Sequence, residues 1–201
     1  MLKLHDYLRS GNGYKVRLLL AHVAVPYELV EYNILNGETH TPEFLALNPN
    51  GRIPVLELDD GSVLPESGAA LYFLADGTNF LPEDTYDRAQ VLQWMFFEQY
   101  SHEPNIATAR YILDYLPKDD PRHETLPAKR EGGYAALNVM EKQLDVHLWL
   151  AADTFTIADI ALYAYTHVAG EGGFDLSKYP NINAWIERVA GMPAHIQITD
   201  R

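Results

Sequence analysis

Residues Asn48 to Ser67 read NPNGRIPVLELDDGSVLPES and decide the fold of the N-terminal part of the chain. Two short apolar runs, 53–58 and 62–64, lie on either side of an Asp-Asp-Gly turn. This pattern predicts a β-hairpin, because a tight hairpin turn needs positive φ angles that glycine adopts readily. A turn-rich tetrapeptide leads into the first strand, and Pro54 lies near the start of that strand, where a missing N–H group is tolerated.

The hairpin is followed by an apolar run, 68–75, that predicts a helix with Ser67 in its first turn. The first N–H groups of a helix have no partner within the helix, and the helix dipole favours negative charge there. Glu66 places a carboxylate beside this anion site, and a carboxylate can receive an ammonium group. The pair therefore suits the head group of an α-amino acid. The alternative is that the two residues only cap the helix.

The same run resembles the N-terminal half of the soluble glutathione transferases. Their thioredoxin-like domain carries Asn-Pro-x-Gly-x-Ile/Val-Pro-x-Leu, then a hairpin, then Glu/Asp-Ser. The resemblance implies that Ile53 offers its backbone to the cysteinyl part of glutathione beside a cis Pro54, an isomer that is uncommon and fixes a specific turn. It also implies that Glu66 and Ser67 hold the γ-glutamyl end.

The composition is that of an ordinary globular protein, with 47% apolar and 21% charged residues in a chain of 201. No apolar run approaches the ~20 residues that cross a bilayer, and the N-terminus carries no secretory pattern. A net charge of −13 argues against nucleic acid and anionic membranes as partners. The chain has no cysteine, which excludes disulfides, thiolate metal sites and a cysteine nucleophile. We expect a cytoplasmic protein.

Strand and helix patterns alternate through the N-terminal part. Before the hairpin, the predicted elements are a strand over 2–7, a helix over 14–24, a strand over 27–32 and a short helix from Thr41-Pro42. With the hairpin and the next helix they give the order βαβ-α-ββα. We therefore predict a layered, thioredoxin-like domain over residues 1–77.

The rest of the chain has helical periodicity and no convincing strand pair. After a linker over 78–85, the helices are predicted at 86–116 with an interruption near Pro104, at 128–150 with Leu148 on its apolar face, and at 181–190. Thr156-Ile-Ala-Asp159 predicts a capping box and is similar to a signature of the family's all-helical second domain. We predict an α+β two-domain protein whose all-α domain covers 86–201.

The loop after the first strand is where the catalytic group is expected. Glutathione attacks as a thiolate, and a free thiol has a pKa near ~8.5, so a hydrogen-bond donor to sulfur raises the reactive fraction. Ser10, in Ser-Gly-Asn-Gly-Tyr-Lys, resembles the serine of the serine-type classes, theta, phi and related bacterial groups. Tyr7, near the position of the phenol in tyrosine-type classes, and Asn12, through its amide, are alternatives.

The remaining ligand contacts are expected from two regions. His40 and Arg52 are candidates to hold the glycyl carboxylate of glutathione, although both could be solvated loop residues. Residues of the first half of the long helix are expected to line the pocket of a small hydrophobic electrophile, although aromatic residues at helical spacing often belong to a core. These candidates are Phe97, Tyr100, His102, Asn105 and Arg110. No metal is expected, because Glu98 and His102 have no evident third ligand.

The resemblance implies a glutathione transferase that uses glutathione as co-substrate and forms a homodimer. Its reaction would be thiolate attack on the electrophile, or glutathione-dependent reduction of a peroxide or disulfide. The alternative is a non-catalytic, glutathione-transferase-like interaction module, because one fold hosts many functions.

Overall fold

A computed structural model describes residues 1–201, and its internal contacts divide the chain into two compact units. The first unit comprises Met1–Thr78 together with Pro193–Arg201, and the second comprises Asn79–Met192. Residues 193–201, which we expected in the helical domain, lie with the first unit.

The placement of 193–201 has a clear physical cause. Two side chains of the first helix, Tyr14 and Arg17, donate hydrogen bonds to backbone carbonyls in this segment. Isolated carbonyls that accept side-chain bonds leave no periodic signal in a sequence, so the pattern of apolar residues could not have shown this contact.

The first unit contains a four-stranded mixed sheet. Its strands are β1 Leu2–Asp6, β2 Tyr27–Glu31, β3 Val55–Glu57 and β4 Val63–Pro65, in the order β2-β1-β3-β4. Strand β1 is parallel to β2 and antiparallel to β3, and β3 and β4 form the predicted antiparallel hairpin. Leu4 pairs with Leu29 on one side and with Leu56 on the other. The thioredoxin-like fold is confirmed.

Three helices complete the first unit: α1 Gly11–His22, α2 Pro42–Leu47 and α3 Ser67–Ala75. Helix α2 begins with a proline, whose missing N–H costs nothing there, and the Thr41 hydroxyl caps it. Apolar residues of β1, β3, α1 and α3 form one buried cluster, namely Leu4, Val16, Leu20, Leu56 and Ala70. Each fully buried aliphatic side chain contributes about 1.5–3 kcal/mol relative to exposure, so this cluster orients α1 and α3 on the sheet.

The second unit is all-helical, as predicted. Its helices are α4 Thr85–Phe97, α5 Glu103–Tyr115, α6 Leu126–Leu144, α7 Ile157–Thr166 and α8 Pro180–Ala190. The predicted interruption of the long helix is a π-helical turn over Glu98–His102, and Pro104 follows in the first turn of α5, where proline is tolerated. Helix α6 ends before the predicted residue 150, and Leu148 is 63% exposed rather than on the apolar face. None of the helices is long and apolar enough to cross a membrane.

Helix α7 is buried over its whole length, and its start carries the predicted capping box. The Thr156 hydroxyl caps the first turn, while the Asp159 carboxylate accepts the backbone N–H of Thr156 at 3.0 Å. Asp159 also accepts the N–H of Leu150 and the indole N–H of Trp185. Burial raises the pKa of Asp159 to about 6. This one carboxyl group therefore joins the start of α7 to α8 and to the preceding loop.

Candidate functional site

Ser10 is the N-cap of α1, with extended backbone angles of φ −73° and ψ 127°. Its hydroxyl oxygen accepts the N–H of Gly13 at 3.4 Å. A hydroxyl can accept one hydrogen bond and donate another, so the Ser10 hydrogen remains to be directed at a ligand. The positive end of the α1 dipole lies at the same place and favours an anionic atom there.

Asn12, Lys15 and Ser67 meet beside this cap. The Lys15 ammonium donates to Asn12 Oδ1 at 2.7 Å, and the Ser67 hydroxyl donates to the same oxygen at 3.4 Å. Because both donors hold the carbonyl oxygen, the planar amide of Asn12 directs its NH₂ group away from them. The start of α1 and the start of α3 are thus joined through one side chain. The separation of 55 residues between Asn12 and Ser67 hid this contact from sequence reasoning.

Glu66 adopts φ 73° and ψ 117°, an unusual conformation for a residue other than glycine. Holding such a backbone costs on the order of 1–3 kcal/mol, and such residues concentrate at functional positions. The side chain of Glu66 is exposed and does not cap α3, whereas Ser67 is only 5% exposed. The first turn of α3 therefore presents its N–H groups beside an exposed carboxylate.

The peptide bond between Ile53 and Pro54 is cis, as the family resemblance implies. Pro54 is buried and Ile53 is half-buried. The Asn48 side chain donates to the carbonyl of Arg52 at 2.7 Å and so holds the turn that precedes the bond. The cis bond lies directly before β3 in the same unit as Ser10 and Ser67.

Gly51 brings the loop that contains His40 next to Arg52. Its φ of 65° favours glycine, and a Cβ at this position would lie 3.2 Å from His40 Nε2 and 3.2 Å from the Thr39 carbonyl oxygen. The side chains of His40 and Arg52 are both exposed. Two basic candidates from distant parts of the sequence therefore lie around one glycine.

Tyr7 lies in the same turn as Ser10, since the Tyr7 carbonyl accepts the Ser10 N–H at 2.7 Å. Its side chain is half-buried. Tyr7, Ser10 and Asn12 thus all lie at the carboxyl end of β1, and all three remain candidates for thiol activation.

A buried ion pair beneath this turn was not foreseen from the sequence. Arg17 Nε donates to Asp6 Oδ2 at 3.0 Å, and both side chains are fully buried. Burial raises the pKa of Asp6 to about 7, although the Arg17 charge acts in the opposite direction. Gly13 lies over the Asp6 carboxylate, so closely that an added Cβ would collide with it. No signal for this pair is present in the periodicity of the sequence, because Asp6 lies on β1 and Arg17 on α1.

The predicted electrophile contacts of the second unit differ in exposure. Tyr100 is 88% exposed, and Phe97 and Asn105 are half-buried. His102 is buried and shares a hydrogen bond of 2.9 Å with the Thr166 hydroxyl, while Arg110 forms a 2.6 Å ion pair with Glu171. His102 and Arg110 therefore have partners within their own unit, and the pocket assignment stays a prediction.

No group of three or more His, Asp or Glu side chains among residues 1–201 is arranged to hold a metal ion. Such a group, with short ligand distances, is what a protein metal centre requires.

A thioredoxin-like unit followed along the chain by an all-helical unit is the architecture of the soluble glutathione transferases. The model of the glutathione S-transferase N-terminal domain matches residues 1–76, and that of the C-terminal domain matches residues 103–193. The protein belongs to the glutathione S-transferase family.

Several individual proteins resemble the whole chain. The disulfide-bond oxidoreductase YfcG of Escherichia coli is 32% identical over 193 residues, covering 92% of this chain and 88% of YfcG. A crystal structure of a glutathione S-transferase from Pseudomonas fluorescens is 55% identical, with a TM-score of 0.95 and 99% of each chain covered. The glutathione transferase URE2P8 of Phanerochaete chrysosporium, solved with oxidised glutathione, is 27% identical, with a TM-score of 0.86 over 96% of this chain and 90% of URE2P8.

Proposed function

We propose that the protein binds glutathione on the first unit and keeps its thiol ionised for attack on a small hydrophobic electrophile. One observation carries this proposal. Ser10 caps α1, and the Ser67 side chain at the start of α3 contacts Asn12 in the first turn of α1, so the proposed thiol activator and the proposed amino-acid site lie in one unit. The bound oxidised glutathione of the relative URE2P8 supports the choice of ligand.

The γ-glutamyl head group would bind at the start of α3. Its α-carboxylate would accept the first N–H groups of the helix and the Ser67 hydroxyl, which would turn from Asn12 Oδ1 to the ligand, while its ammonium would meet the exposed Glu66 carboxylate. A zwitterion satisfies both charges of this site at once, whereas an anion alone would be repelled by Glu66.

The rest of the tripeptide would follow the chain past the cis bond. The backbone of Ile53 beside Pro54 would pair with the cysteinyl residue. His40 and Arg52 would hold the glycyl carboxylate, which their position around Gly51 permits. Both side chains are exposed, so their contribution to affinity would weaken with added salt.

Ser10 would donate its hydroxyl hydrogen to the glutathione sulfur and stabilise the thiolate, aided by the α1 dipole. A thiol with a pKa near ~8.5 is only a few per cent ionised at neutral pH, and each unit by which the pKa falls gives about tenfold more thiolate until ionisation is complete. The Asn12 amide and the Tyr7 phenol are the alternative donors.

Reduction of a disulfide by glutathione is the second candidate reaction, favoured by the name of the relative YfcG. Because this chain has no cysteine, glutathione and the substrate must supply every sulfur. The glutathione thiolate would attack one sulfur of the disulfide, and the other sulfur would leave and take up a proton. A second glutathione thiolate would then cleave the mixed disulfide, giving oxidised glutathione and the second substrate thiol. A glutathione-dependent peroxidase reaction would use the same thiolate.

The electrophile would contact side chains of the second unit, for which Phe97, Tyr100 and Asn105 remain the proposed positions. His102 and Arg110 would support the pocket indirectly. Each is already bound within the second unit, His102 to Thr166 and Arg110 to Glu171. The resemblance also supports a homodimer.

The test is turnover with glutathione and three substrates: 1-chloro-2,4-dinitrobenzene, cumene hydroperoxide and a small disulfide. Ser10→Ala should lower kcat/KM by about tenfold or more for the reaction that the protein catalyses. If only Asn12→Ala or Tyr7→Phe lowers it, the donor is that residue instead.

Calorimetry with glutathione separates the enzyme from the non-catalytic module. A dissociation constant in the micromolar range, with turnover, supports the enzyme. Absence of binding, or binding without turnover of any of the three substrates, contradicts it.

A further inference from the structure

Two side chains of α1 fasten the 193–201 segment to the first unit. The fully buried Arg17 guanidinium donates two hydrogen bonds to carbonyls of this segment, at 2.7 and 2.9 Å, and the buried Tyr14 hydroxyl donates a third at 2.7 Å. The accepting carbonyls are those of Ile196, Ile198 and Asp200. Residues three apart on a helix share one face, so α1 presents a single surface to alternate carbonyls of the segment.

Arg17 also reaches the turn that carries the proposed thiol activator. One terminal nitrogen that binds the segment donates as well to the carbonyl of Leu8, two residues before Ser10. Its Nε donates to Asp6 at the end of β1. One guanidinium therefore joins three parts of the first unit: the last residue of β1, the turn at residues 7–10 and the 193–201 segment.

The geometry of arginine makes this junction directional. A guanidinium is planar and holds its five N–H donors at fixed angles, so its four bonds fix the positions of the acceptors relative to one another. Because the same guanidinium binds the carbonyls of Ile198 and Asp200, these two acceptors fix the position of the Leu8 carbonyl. Catalysis depends steeply on such placement, because a donor misplaced by about 1 Å can cost up to about a hundredfold in rate.

We propose that Arg17 is a positioning residue for thiol activation, because it holds the 7–10 turn in place by binding Asp6, the Leu8 carbonyl and the 193–201 segment at once. This inference rests on the proposed function of the site. Arg17 is fully buried and would act through the turn rather than on the reacting atoms. The segment supplies the carbonyls that hold the other end of its guanidinium.

Tyr14 separates this role from simple stabilisation. Its hydroxyl donates to the Ile196 carbonyl and shares a hydrogen bond with His195, both in the segment, whereas Arg17 contacts both the segment and the turn. If the segment positions the turn, loosening it through Tyr14 must change the ionisation of the bound thiol without any change to Arg17.

The first experiment compares the unsubstituted chain with Arg17→Lys. Lysine keeps the positive charge beside Asp6 but replaces the fork with one ammonium that cannot reach all four acceptors. The ultraviolet absorbance of the glutathione thiolate is titrated on the enzyme, and kcat and KM are measured. We expect the thiol pKa to rise by about one unit, with about tenfold less thiolate and lower kcat near neutral pH. The KM for glutathione should change by less than about twofold.

The second experiment uses Tyr14→Phe, which keeps the ring and removes only the hydroxyl. The thiol pKa should rise in the same direction by about half a unit. The shift of the double variant should be smaller than the sum of the single shifts, because both act through one segment. Arg122→Gln is the control, since it breaks an exposed 2.8 Å ion pair with Asp120 in the second unit and leaves both Arg17 and the segment intact, and it should leave the thiol pKa unchanged.

Unchanged thiol pKa in both variants, or a rise in KM alone, overturns the positioning role. If Arg17→Lys does not fold, Tyr14→Phe decides alone: a shift supports the proposal and no shift overturns it. If the unsubstituted chain forms no bound thiolate, the proposed function fails and the positioning role falls with it. By contrast, if bound thiolate forms with the same pKa in the unsubstituted chain and in every variant, the proposed function stands and only the positioning role fails.

Discussion

Gly13 lies over the Asp6 carboxylate in the first turn of α1, where an added Cβ would collide with the carboxylate. In an ordinary helix, replacing glycine by alanine stabilises by roughly 0.5–1 kcal/mol. At this position the sign should reverse, because overpacking a closed site costs typically about 1–3 kcal/mol. Gly13→Ala should therefore lower the free energy of unfolding in urea and move Ser10 away from its present position.

The matched control is Gly170→Ala, since an added Cβ at Gly170 has no neighbour within 4 Å. This variant should be close to neutral. If Gly13→Ala is as stable as the unsubstituted chain, then α1 and β1 are not packed as closely as the structure has them.

At the scale of single elements, the stability of α7 depends on the Thr156 side chain that caps its first turn. The helix is buried over its whole length, so water cannot satisfy the N–H groups of its first turn. Thr156→Val keeps the size of the side chain and removes the hydroxyl that caps Ala158 and donates to Asp159. We expect a loss of about 1–2 kcal/mol in the free energy of unfolding, measured with urea. Thr154→Val, at an exposed position in the same loop, should change it little.

The 193–201 segment gives the first unit a sensitivity to acid. Burial lowers the pKa of His195 and of His22. Repulsion from the His195 imidazole lowers the pKa of His22 further. A histidine with a lowered pKa in the folded state contributes stability above its unfolded value of about 6.5 and loses it as the pH falls through the folded value. These two histidines should therefore withdraw stability from the folded state below about pH 6.5, while the raised pKa values of Asp6 and Asp159 act in the opposite direction as the pH falls.

Below about pH 6.5, His195→Gln should lose less stability, or gain more, than the unsubstituted chain, because glutamine can still contact Tyr14 but does not titrate. Urea unfolding at a series of pH values measures both slopes. Equal slopes for the His195 variant and the unsubstituted chain would contradict the assignment.

The order of elements could be predicted because each carries a local signal. The Asp-Asp-Gly turn specifies the hairpin, the proline at 42 starts α2, and the Thr156–Asp159 spacing starts α7. The end of α6 could not be predicted. The apolar spacing continues to Leu148, although the helix ends at Leu144. Contacts between distant residues were also hidden, among them the hydrogen bond from Ser67 to Asn12.

At the scale of the whole molecule, charge and exposed aromatic residues act in opposite directions on self-association. Ala69, Tyr72 and Phe73 have the i, i+3, i+4 spacing of one helix face, and all three are exposed on α3. An exposed aromatic face of this kind favours pairing with a second copy. Each copy also carries a formal charge of −13, so two copies repel each other at long range.

The proposed homodimer should therefore tighten as salt is added, because the Debye length falls from about 30 Å at 0.01 M to about 8 Å at 0.15 M and screens the repulsion. Sedimentation at these two ionic strengths measures the dissociation constant. Phe73→Ser should weaken the dimer at both, since it removes apolar area from the α3 face, while Tyr86→Ser, at another exposed aromatic position, should not. A dimer that loosens with salt would mean that ion pairs, rather than the α3 aromatic face, hold the copies together. An equal effect of both serine variants would mean that the interface does not involve α3.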